Sequence, residues 1–246
     1  MRISNRLQAL YDAVSSGESV ADIGTDHGYV PLMLLQNGIS DKVILSDISS
    51  GSLAKAIENV KDSGVEIPSE CFRIGDGLST VGFAEVDDVI IGGLGGRTIQ
   101  MILEENLEKT RSYKKLILQP RNNSGELRCF LYCNGYDIQQ EILAEEGKFV
   151  CEIIVAVTSS EKRRPAPYDE HDIRWKYPEQ MISCDSKLLS QRIQWRAGRI
   201  LEQVESLRRS QGNQEERIQS LLEAREYILG LEQRNKKYHA EKTECY

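Results

Sequence analysis

One stretch near the start of the chain, residues 19–31, constrains the fold more than any other. Its sequence is SVADIGTDHGYVP: a short apolar run from Val20 leads to Asp22, a polar corner follows, and an apolar segment opens at Gly28. Such a run, followed by glycine and then by a longer apolar segment, predicts a buried strand, a tight turn and a helix. Glycine occurs in such turns because the backbone conformation requires it, whether or not a ligand binds there. The stretch therefore predicts a fold and does not by itself predict a ligand.

The next apolar run indicates what this turn binds. It ends at Asp47, about 25 residues after Asp22, and nucleotide-binding folds place a carboxylate near ribose hydroxyls at roughly this spacing. A dinucleotide site needs a bare glycine where this chain has Asp26, whose negative charge would repel a pyrophosphate. S-adenosylmethionine fits better because it carries a ribose and no phosphate. Asp22 and Asp26 suit its cationic end, and Asp47 suits its ribose.

Apolar runs and helical segments alternate through the first two thirds of the chain, and this alternation predicts the fold class. The last two apolar runs, 136–144 and 149–158, are joined by Glu145-Glu146-Gly147-Lys148 and predict a β-hairpin. Strand–helix alternation that ends in an antiparallel pair predicts a mixed seven-stranded sheet with a reversed edge strand. We therefore predict an α/β fold, a class I Rossmann-like methyltransferase domain.

The C-terminal part of the chain has a different pattern. Residues 160–186 are polar and hold three of the six prolines, which predicts a linker. Apolar residues then recur at steps of four and three over 193–207 and again over 218–231. They predict a coiled-coil-like helical hairpin with a turn at 210–213, which either projects as an arm or lies back on the first domain. The predicted domains are a methyltransferase domain, 1–160, and a linker with the helical hairpin, 161–246.

Composition disfavours several classes of protein. No apolar run approaches the roughly 18 residues that span a bilayer, and residues 1–14 do not resemble a signal peptide, so we expect a cytoplasmic protein. Six cysteines without a C-x-x-C pair and three scattered histidines predict no metal site. The net charge of −7 argues against a protein that coats nucleic acid. However, residues 161–246 hold 17 Lys and Arg against 15 Asp and Glu, a mild indication that this part meets an anion.

Further motifs follow in a fixed order along the chain. They are GDGL at 75–78, IGGLGG at 91–96, LILQP at 116–120 and ILAEEGKFVCEIIVA at 142–156. Together with ADIGTDHGYVP, this set resembles the bacterial tRNA adenine-N1 methyltransferases that act on adenine 22. The resemblance covers about residues 1–158 motif by motif, and the C-terminal part by architecture. It implies a Rossmann-like enzyme that uses S-adenosylmethionine and forms N1-methyladenosine in tRNA.

The resemblance also assigns cofactor-binding positions at the predicted strand ends. They are Asp22, Gly24, Asp26 and His27 around the methionine part, Asp47 and Ile48 at the ribose, Asp76 and Gly77 at the adenine, and Gly92 and Gly93 under the sulfonium. Arg6 is added because the leading helix should bring it near the end of the first strand. Three positions depart from the family pattern: Asp47, Leu94 and Arg121 stand where Glu, Met and Asn are more frequent. Asn122 follows directly and is the predicted substrate contact.

The predicted chemistry is attack by N1 of adenine on a methyl group bound to a positive sulfur, which positioning and electrostatics can promote. Asp26 and Tyr29 are the predicted catalytic residues: Tyr29 stacks on the base and Asp26 accepts a hydrogen bond from its N6 amino group. Two alternatives stay open, in which Asp26 serves only the ammonium group of the cofactor and Tyr29 belongs to the core.

Residues that bind the substrate are predicted on the first C-terminal helix. Arg192, Arg196 and Arg199 share one helix face and suit phosphate contacts, with a solvated helix face as the alternative. A small-molecule or protein methyltransferase would need a lid, which the sequence does not offer beyond the N-terminal helix. A non-catalytic partner-binding module is disfavoured by the four carboxylates at positions 22, 26, 47 and 76. The expected partner is tRNA, with no membrane and no metal, and the expected state is a monomer.

Overall fold

A computed structural model of the chain describes residues 3–210 and 214–244, and within them seven strands form one sheet. The strands are β1 Val20–Ile23, β2 Val43–Asp47, β3 Phe72–Ile74, β4 Asp88–Leu94, β5 Lys115–Pro120, β6 Tyr136–Glu146 and β7 Phe149–Thr158. Their order across the sheet is β3-β2-β1-β4-β5-β7-β6. This arrangement confirms the predicted Rossmann-like mixed sheet.

Strand directions refine that prediction. β1 pairs in parallel with β2 and with β4, and β4 pairs in parallel with β5. β7 runs antiparallel to both β5 and β6, so the reversed strand lies one position in from the edge rather than at it. The reason is that the β6–β7 hairpin inserts its second strand beside β5. The central strands are continuous apolar runs because helices cover both faces of the sheet.

The helices around the sheet begin and end at local capping signals. They are α1 Asn5–Asp12, α2 Tyr29–Gln36, α3 Ser50–Ser63, α4 Gly96–Glu104, α5 Leu107–Thr110, α6 Ser124–Cys133, α7 Ile173–Lys176, α8 Ser186–Arg209 and α9 Glu215–Glu244. The segment after β4 forms two helices, α4 and α5, because the Asn106 side chain accepts a hydrogen bond from the Lys109 nitrogen and starts a new helix. No described helix has the length and apolar character needed to cross a membrane.

Two apolar clusters fill the space on either side of the sheet. Ile99 and Leu103 of α4 pack with Leu127 of α6 against one face. Leu10 of α1 and Leu34 of α2 belong to the cluster on the other face. Each fully buried side chain of this kind stabilises the fold by about 2 kcal/mol. The three layers hold the parallel strands rigidly, so the loops at their carboxyl ends have fixed positions.

The segment predicted as a polar linker is partly folded into the protein. α7 and the 3-10 turn Glu179–Ser183 lie within it. Trp175, Tyr177 and Met181 are buried there, and Tyr177 and Met181 join an apolar cluster with Leu143 of β6. The prediction failed at these positions because three large apolar side chains are dispersed among many polar ones, which gives no periodic pattern.

The C-terminal helices lie back on the methyltransferase domain, which settles the alternative that the sequence left open. Ile193 of α8 and Leu231 of α9 are fully buried in the same cluster as Leu143. α8 also contacts both β6 and β7. Of the predicted turn at 210–213, residues 211–213 lie outside the described part of the chain. The division of the chain into domains at residue 160 stays a prediction.

Candidate active site

The candidate active site is the edge of the sheet at which the parallel strands β1, β2, β4 and β5 end. At this edge the chain turns from each strand towards the next helix, so the loops after the four strands lie side by side. β1 and β4 are neighbours although they are not consecutive in the chain, which marks the point where the strand order reverses. Open α/β sheets bind ligands at this point.

Asp22 is the buried carboxylate of this edge. It lies near the end of β1, and Thr25 Oγ1 donates a hydrogen bond to its Oδ2 at 2.7 Å. Burial raises the pKa of Asp22 to about 6; the Thr25 hydrogen bond and the charge of Arg6 oppose the shift, and the charge of Asp47 adds to it. No basic group of the described residues forms a salt bridge with Asp22. A buried carboxylate without a salt bridge suits a cationic ligand.

The turn after β1 holds three residues with left-handed backbone. The φ angles of Gly24, Asp26 and Gly28 are 76°, 43° and 67°. Gly28 must be glycine, because a Cβ there would lie 2.8 Å from Leu45 Cδ2. The same conformation costs a non-glycine residue such as Asp26 about 1 kcal/mol or more, and strain of this kind occurs mostly at functional sites.

The Asp26 carboxylate lies between two basic side chains. Its Oδ2 is 2.7 Å from His27 Nδ1, and its Oδ1 is 3.3 Å from Lys55 Nζ. Partial burial raises its pKa, but the hydrogen bond from Lys55 and the charge of His27 outweigh this effect, so the pKa of Asp26 is lowered. The carboxylate is therefore ionised at neutral pH and half-exposed. Sequence reasoning missed Lys55, which lies on α3, 29 residues from Asp26.

Asp47 connects the first loop to the second. Its Oδ2 accepts a hydrogen bond from the Asp26 backbone nitrogen at 3.4 Å, and its Oδ1 accepts one from the Ser49 nitrogen at 2.7 Å. Ile74 of β3 lies beside Asp47 in the sheet, and Ile48 follows Asp47 in the chain. Both isoleucines are exposed, by 63% and 69%, and they provide an apolar surface for a flat ring. Sequence reasoning missed Ile74, whose only signal is an apolar residue at the last position of a strand.

Asp76 and Gly77 follow β3 and lie next to the loop of Asp47. The nitrogen of Gly75 donates a hydrogen bond to the Asp47 carbonyl at 3.2 Å, which holds the two loops together. Asp76 is exposed. Gly77 is buried with a φ of 48°, and a Cβ on it would lie 3.0 Å from Ile102 of α4. The structure thus brings these two residues to the predicted place.

The glycine loop, residues 92–96 at the end of β4, lines the bottom of the site. The Gly93 nitrogen donates a hydrogen bond to Gln119 Oε1 at 2.9 Å. Arg6 lies close to this loop, since its Nη1 is 4.0 Å from the place of a Cβ on Gly92, and its Nε donates to Glu146 Oε1 at 2.6 Å. Sequence reasoning placed Arg6 near this edge but missed Gln119, which orients the loop.

The two predicted substrate contacts near the cofactor candidates have structural partners. The Tyr29 ring stacks on the His27 ring, with centroids 5.2 Å apart and planes inclined by 22°. Tyr29 is half-buried and packs on His27, which follows Asp26 in the chain. The Asn122 side-chain oxygen accepts a hydrogen bond from the Gly96 nitrogen at 3.3 Å, which places the loop after β5 beside the glycine loop.

The three arginines predicted to hold the substrate differ in their surroundings. Arg192 forms an ion pair with Glu152 of β7, and its guanidinium carbon lies 5.0 Å from the centroid of the Tyr177 ring. The structure therefore assigns Arg192 to the docking of α8 in place of the predicted phosphate contact. Arg199 is exposed and paired with Glu202, and Arg196 is half-buried.

Comparison with known proteins identifies the family. A family model described as a methyltransferase domain matches residues 3–154. A curated Bacillus subtilis (strain 168) protein named tRNA (adenine(22)-N(1))-methyltransferase is 33% identical over 169 residues, which are 69% of each chain. This chain belongs to the tRNA (adenine(22)-N(1))-methyltransferase family. The resemblance found in the motifs is thereby confirmed.

Solved structures of a relative support the membership along almost the whole length. A Streptococcus pneumoniae protein, described as a candidate tRNA (m1A22) methyltransferase, is similar with a TM-score of 0.77 and 27% identity over 94% of this chain and 99% of that one. Its complex with S-adenosyl-L-methionine has a TM-score of 0.74 at the same identity and coverage. The likeness therefore includes the C-terminal helices, which the family-model match leaves out.

Proposed function

We propose that this member of the tRNA (adenine(22)-N(1))-methyltransferase family transfers a methyl group from S-adenosylmethionine to N1 of adenine 22 in tRNA. The observation that carries the proposal is the buried carboxylate of Asp22, which has no salt bridge within the described residues and lies beside the glycine loop. The Streptococcus pneumoniae relative that binds S-adenosyl-L-methionine supports the choice of cofactor.

The residues at this edge suit each part of the cofactor. Acidic groups predominate among the polar side chains, which favours a cation and disfavours a phosphate. The proposed contacts are Asp22, Gly24, Asp26, His27 and Arg6 around the methionine end, Asp47 at the ribose hydroxyls, Ile48 and Ile74 against the adenine with Asp76 and Gly77, and Gly92 and Gly93 beneath the sulfonium. When bound, S-adenosylmethionine supplies an electrophilic methyl group.

The protein contributes orientation and charge to the transfer. The adenine must leave its stack in the tRNA, at a cost of a few kcal/mol, so that its N1 lone pair can point at the methyl group. Asp26, ionised because its pKa is lowered, accepts a hydrogen bond from the N6 amino group and stabilises the positive charge that develops on the ring. In the alternative role, Asp26 binds only the cofactor ammonium group.

Tyr29 is the proposed stacking partner of the target base. His27 covers one face of its ring and fixes its orientation. An aromatic side chain held in this way lies beside Asp26 at little further cost in conformational entropy, and stacking on a base contributes about 1–3 kcal/mol. Asn122 lies on the neighbouring loop and is the proposed second polar contact to the base.

The decisive experiment compares two tRNA transcripts that differ only at position 22. We expect methyl transfer from labelled S-adenosylmethionine to the transcript with adenine there, and none to the transcript with guanine. Digestion of the product should give N1-methyladenosine, and reverse transcription should stop at position 22 because the methyl group blocks the Watson–Crick edge. Label on the guanine transcript, on protein or on a metabolite fraction would contradict the proposal.

The chemistry also supports a proposal about partners. Attack of a ring nitrogen on a sulfonium methyl group requires no Lewis acid, and in the described part of the chain no three His, Cys, Asp or Glu side chains are grouped so as to hold a metal ion. We therefore propose that the transfer is metal-independent, and we also propose that the protein acts on tRNA as a cytoplasmic monomer. Activity should be unchanged by EDTA, and light scattering should give the mass of one chain.

A further inference from the structure

Two basic residues on segments near the start of α6 have side chains without an ion-paired acidic partner. Lys176 ends α7 and Arg196 lies in α8, and both are half-buried. Neither forms a salt bridge or a hydrogen bond with any of residues 3–210 and 214–244, and Arg196 Nε is a buried donor without an acceptor. A buried donor without a partner destabilises a protein by about 1–3 kcal/mol, more if it is charged, so this arrangement needs an explanation.

The packing of two neighbouring segments determines the position of these two residues: α7 packs on α6, and Tyr177, the residue after α7, packs on α8. The backbone nitrogen of Lys176 is 3.3 Å from the place that a Cβ on Gly125 would take, so the backbone of Lys176 lies against the first turn of α6. Arg192 covers the ring of Tyr177, the residue after Lys176, and Arg196 follows Arg192 by one helical turn. Both residues therefore lie on segments next to the start of α6, which follows the loop that carries Asn122, since Ser124 of α6 and Arg192 of α8 contact the same Glu152 carboxylate.

The neighbouring carboxylates do not neutralise this pair. Glu152 is already bound by Arg128 and Arg192, and Glu126 lies 3.8 Å from His171. Burial lowers the pKa of Lys176, and the charges of Arg196 and Arg192 lower it further, which outweighs the opposing effect of the Glu152 and Glu126 charges. Positive charges held together away from water are unfavourable until an anion joins them.

We propose that Lys176 and Arg196 bind one phosphodiester group of the tRNA next to the target nucleotide. This inference rests on the proposed function and identifies the contact that fixes the position of the RNA relative to the active site. An ammonium and a guanidinium group are the usual donors to phosphate oxygens, and phosphate contacts fix the position of a nucleic acid without reading its sequence. Lys176 thus has the phosphate-binding role that the sequence analysis predicted for Arg192.

The first test removes each charge separately. Lys176→Gln and Arg196→Gln should each weaken tRNA binding about tenfold and reduce the slope of log affinity against log salt by about 1, because each removes one phosphate contact. Affinity for S-adenosylmethionine should not change. The matched control is Lys237→Gln, on the exposed surface of α9, which should bind tRNA like the wild type.

Two further variants separate charge from packing. Lys176→Met keeps the apolar stem and its contacts, so it should bind tRNA as weakly as Lys176→Gln. Arg196→Lys keeps the charge and should recover most of the lost affinity. Equal tRNA affinity of the wild type, Lys176→Met and Arg196→Gln would overturn the proposal.

The second test locates the phosphate. In a tRNA assembled from two pieces, the phosphates on either side of adenosine 22 are replaced one at a time by uncharged methylphosphonate. One replacement should weaken binding of the wild type about tenfold and leave binding of the double variant K176Q/R196Q unchanged. Equal losses in both proteins at every replaced phosphate would refute the site while methylation of adenine 22 stands. Absence of methylation by the wild type would instead refute the proposed function.

Discussion

At the scale of single residues, the ionisation of Asp22 controls the charge of the cofactor site. Burial raises its pKa to about 6, so it is ionised at pH 7.5 and mostly protonated at pH 5. Its negative charge attracts the ammonium and sulfonium groups of S-adenosylmethionine. We expect calorimetry to show affinity for the cofactor falling as pH decreases through 6, by up to about tenfold per pH unit.

The control for this pH dependence is Asp22→Asn. The amide fills the same volume and carries no charge at any pH, so the variant should bind S-adenosylmethionine weakly and to the same extent at pH 5 and pH 7.5. Equal affinity of the wild type at both pH values would show that Asp22 does not contact the cationic end of the cofactor.

Asp26→Asn separates the two roles proposed for that residue. Asparagine tolerates the left-handed backbone at this position, so the turn keeps its shape and only the charge is lost. If Asp26 serves the base, kcat should fall about a hundredfold at unchanged cofactor affinity. If it serves the ammonium group, the cofactor Kd should rise instead. An exposed aspartate on α3 provides the control variant Asp62→Asn.

Either outcome of that experiment identifies one role for Asp26. A variant that methylates tRNA at the wild-type rate with unchanged cofactor affinity would exclude both. The carboxylate at this position would then serve the local contacts with His27 and Lys55.

At the scale of secondary-structure elements, the opposite edge of the sheet contains two adjacent aspartates with pKa shifts of opposite sign. Asp88 begins β4 and lies 3.1 Å from Lys115 Nζ. Burial raises its pKa to about 7, and the neighbouring Glu18 carboxylate adds to the shift. Asp87 forms hydrogen bonds with Lys114 and Ser19, which lower its pKa to about 2.

The two shifts predict opposite effects of substitution. The stabilisation linked to Asp88 is present at low pH and lost as pH rises to about 7, because the folded state binds the proton more tightly. Asp88→Asn should therefore raise the free energy of unfolding at pH 8.5 by about 1–2 kcal/mol, or Tm by roughly 2–6 °C.

Asp87→Asn is the matched control. Asp87 stabilises the fold when ionised, above about pH 4, and this contribution disappears as pH falls through about 2. The variant should lower Tm at pH 8.5, where Asp88→Asn raises it. A lower Tm for both variants at this pH would contradict the raised pKa of Asp88.

At the scale of the whole molecule, one buried ionic network connects the two parts of the chain. Arg128 of α6 donates two hydrogen bonds to Glu141 of β6 and one to Glu152 of β7, and Glu152 also binds Arg192 of α8. The Ser124 hydroxyl donates to Glu152 at 3.0 Å. Ser124 begins α6 two residues after Asn122, so the same ionic network holds both α8 and the loop after β5.

This network predicts that Arg192 acts in stability. Arg192→Met keeps an apolar stem but leaves part of the Glu152 charge without a partner, and it should lower the free energy of unfolding by about 1–3 kcal/mol. Arg199→Gln removes an exposed pair and should change it by no more than about 0.5 kcal/mol. Chemical denaturation measures both. Equal stability of the two variants would show that the network does not hold α8.

Much of the fold follows from local sequence. The strands around Asp22 and Asp47 were predicted because an apolar run followed by glycine or a carboxylate is a local pattern. The split between α4 and α5 depends on one side-chain cap at Asn106, which the pattern of apolar residues does not show. The packed segment around Tyr177 was missed because its burial depends on helices that come later in the chain.

The sequence by itself determined the alternation of strands and helices, and with it the positions of Asp22, Asp47 and Asp76 at strand ends, because the chain must leave each strand at the same edge of a parallel sheet. The tertiary structure decided which charged side chains have an ion-pair partner and which do not. Glu152 neutralises Arg192 from 40 residues away, Lys55 reaches Asp26 from 29 residues away, and the segments of Lys176 and Arg196 come together only because Tyr177 packs on α8. Contacts between distant segments are set by packing, which no local pattern encodes.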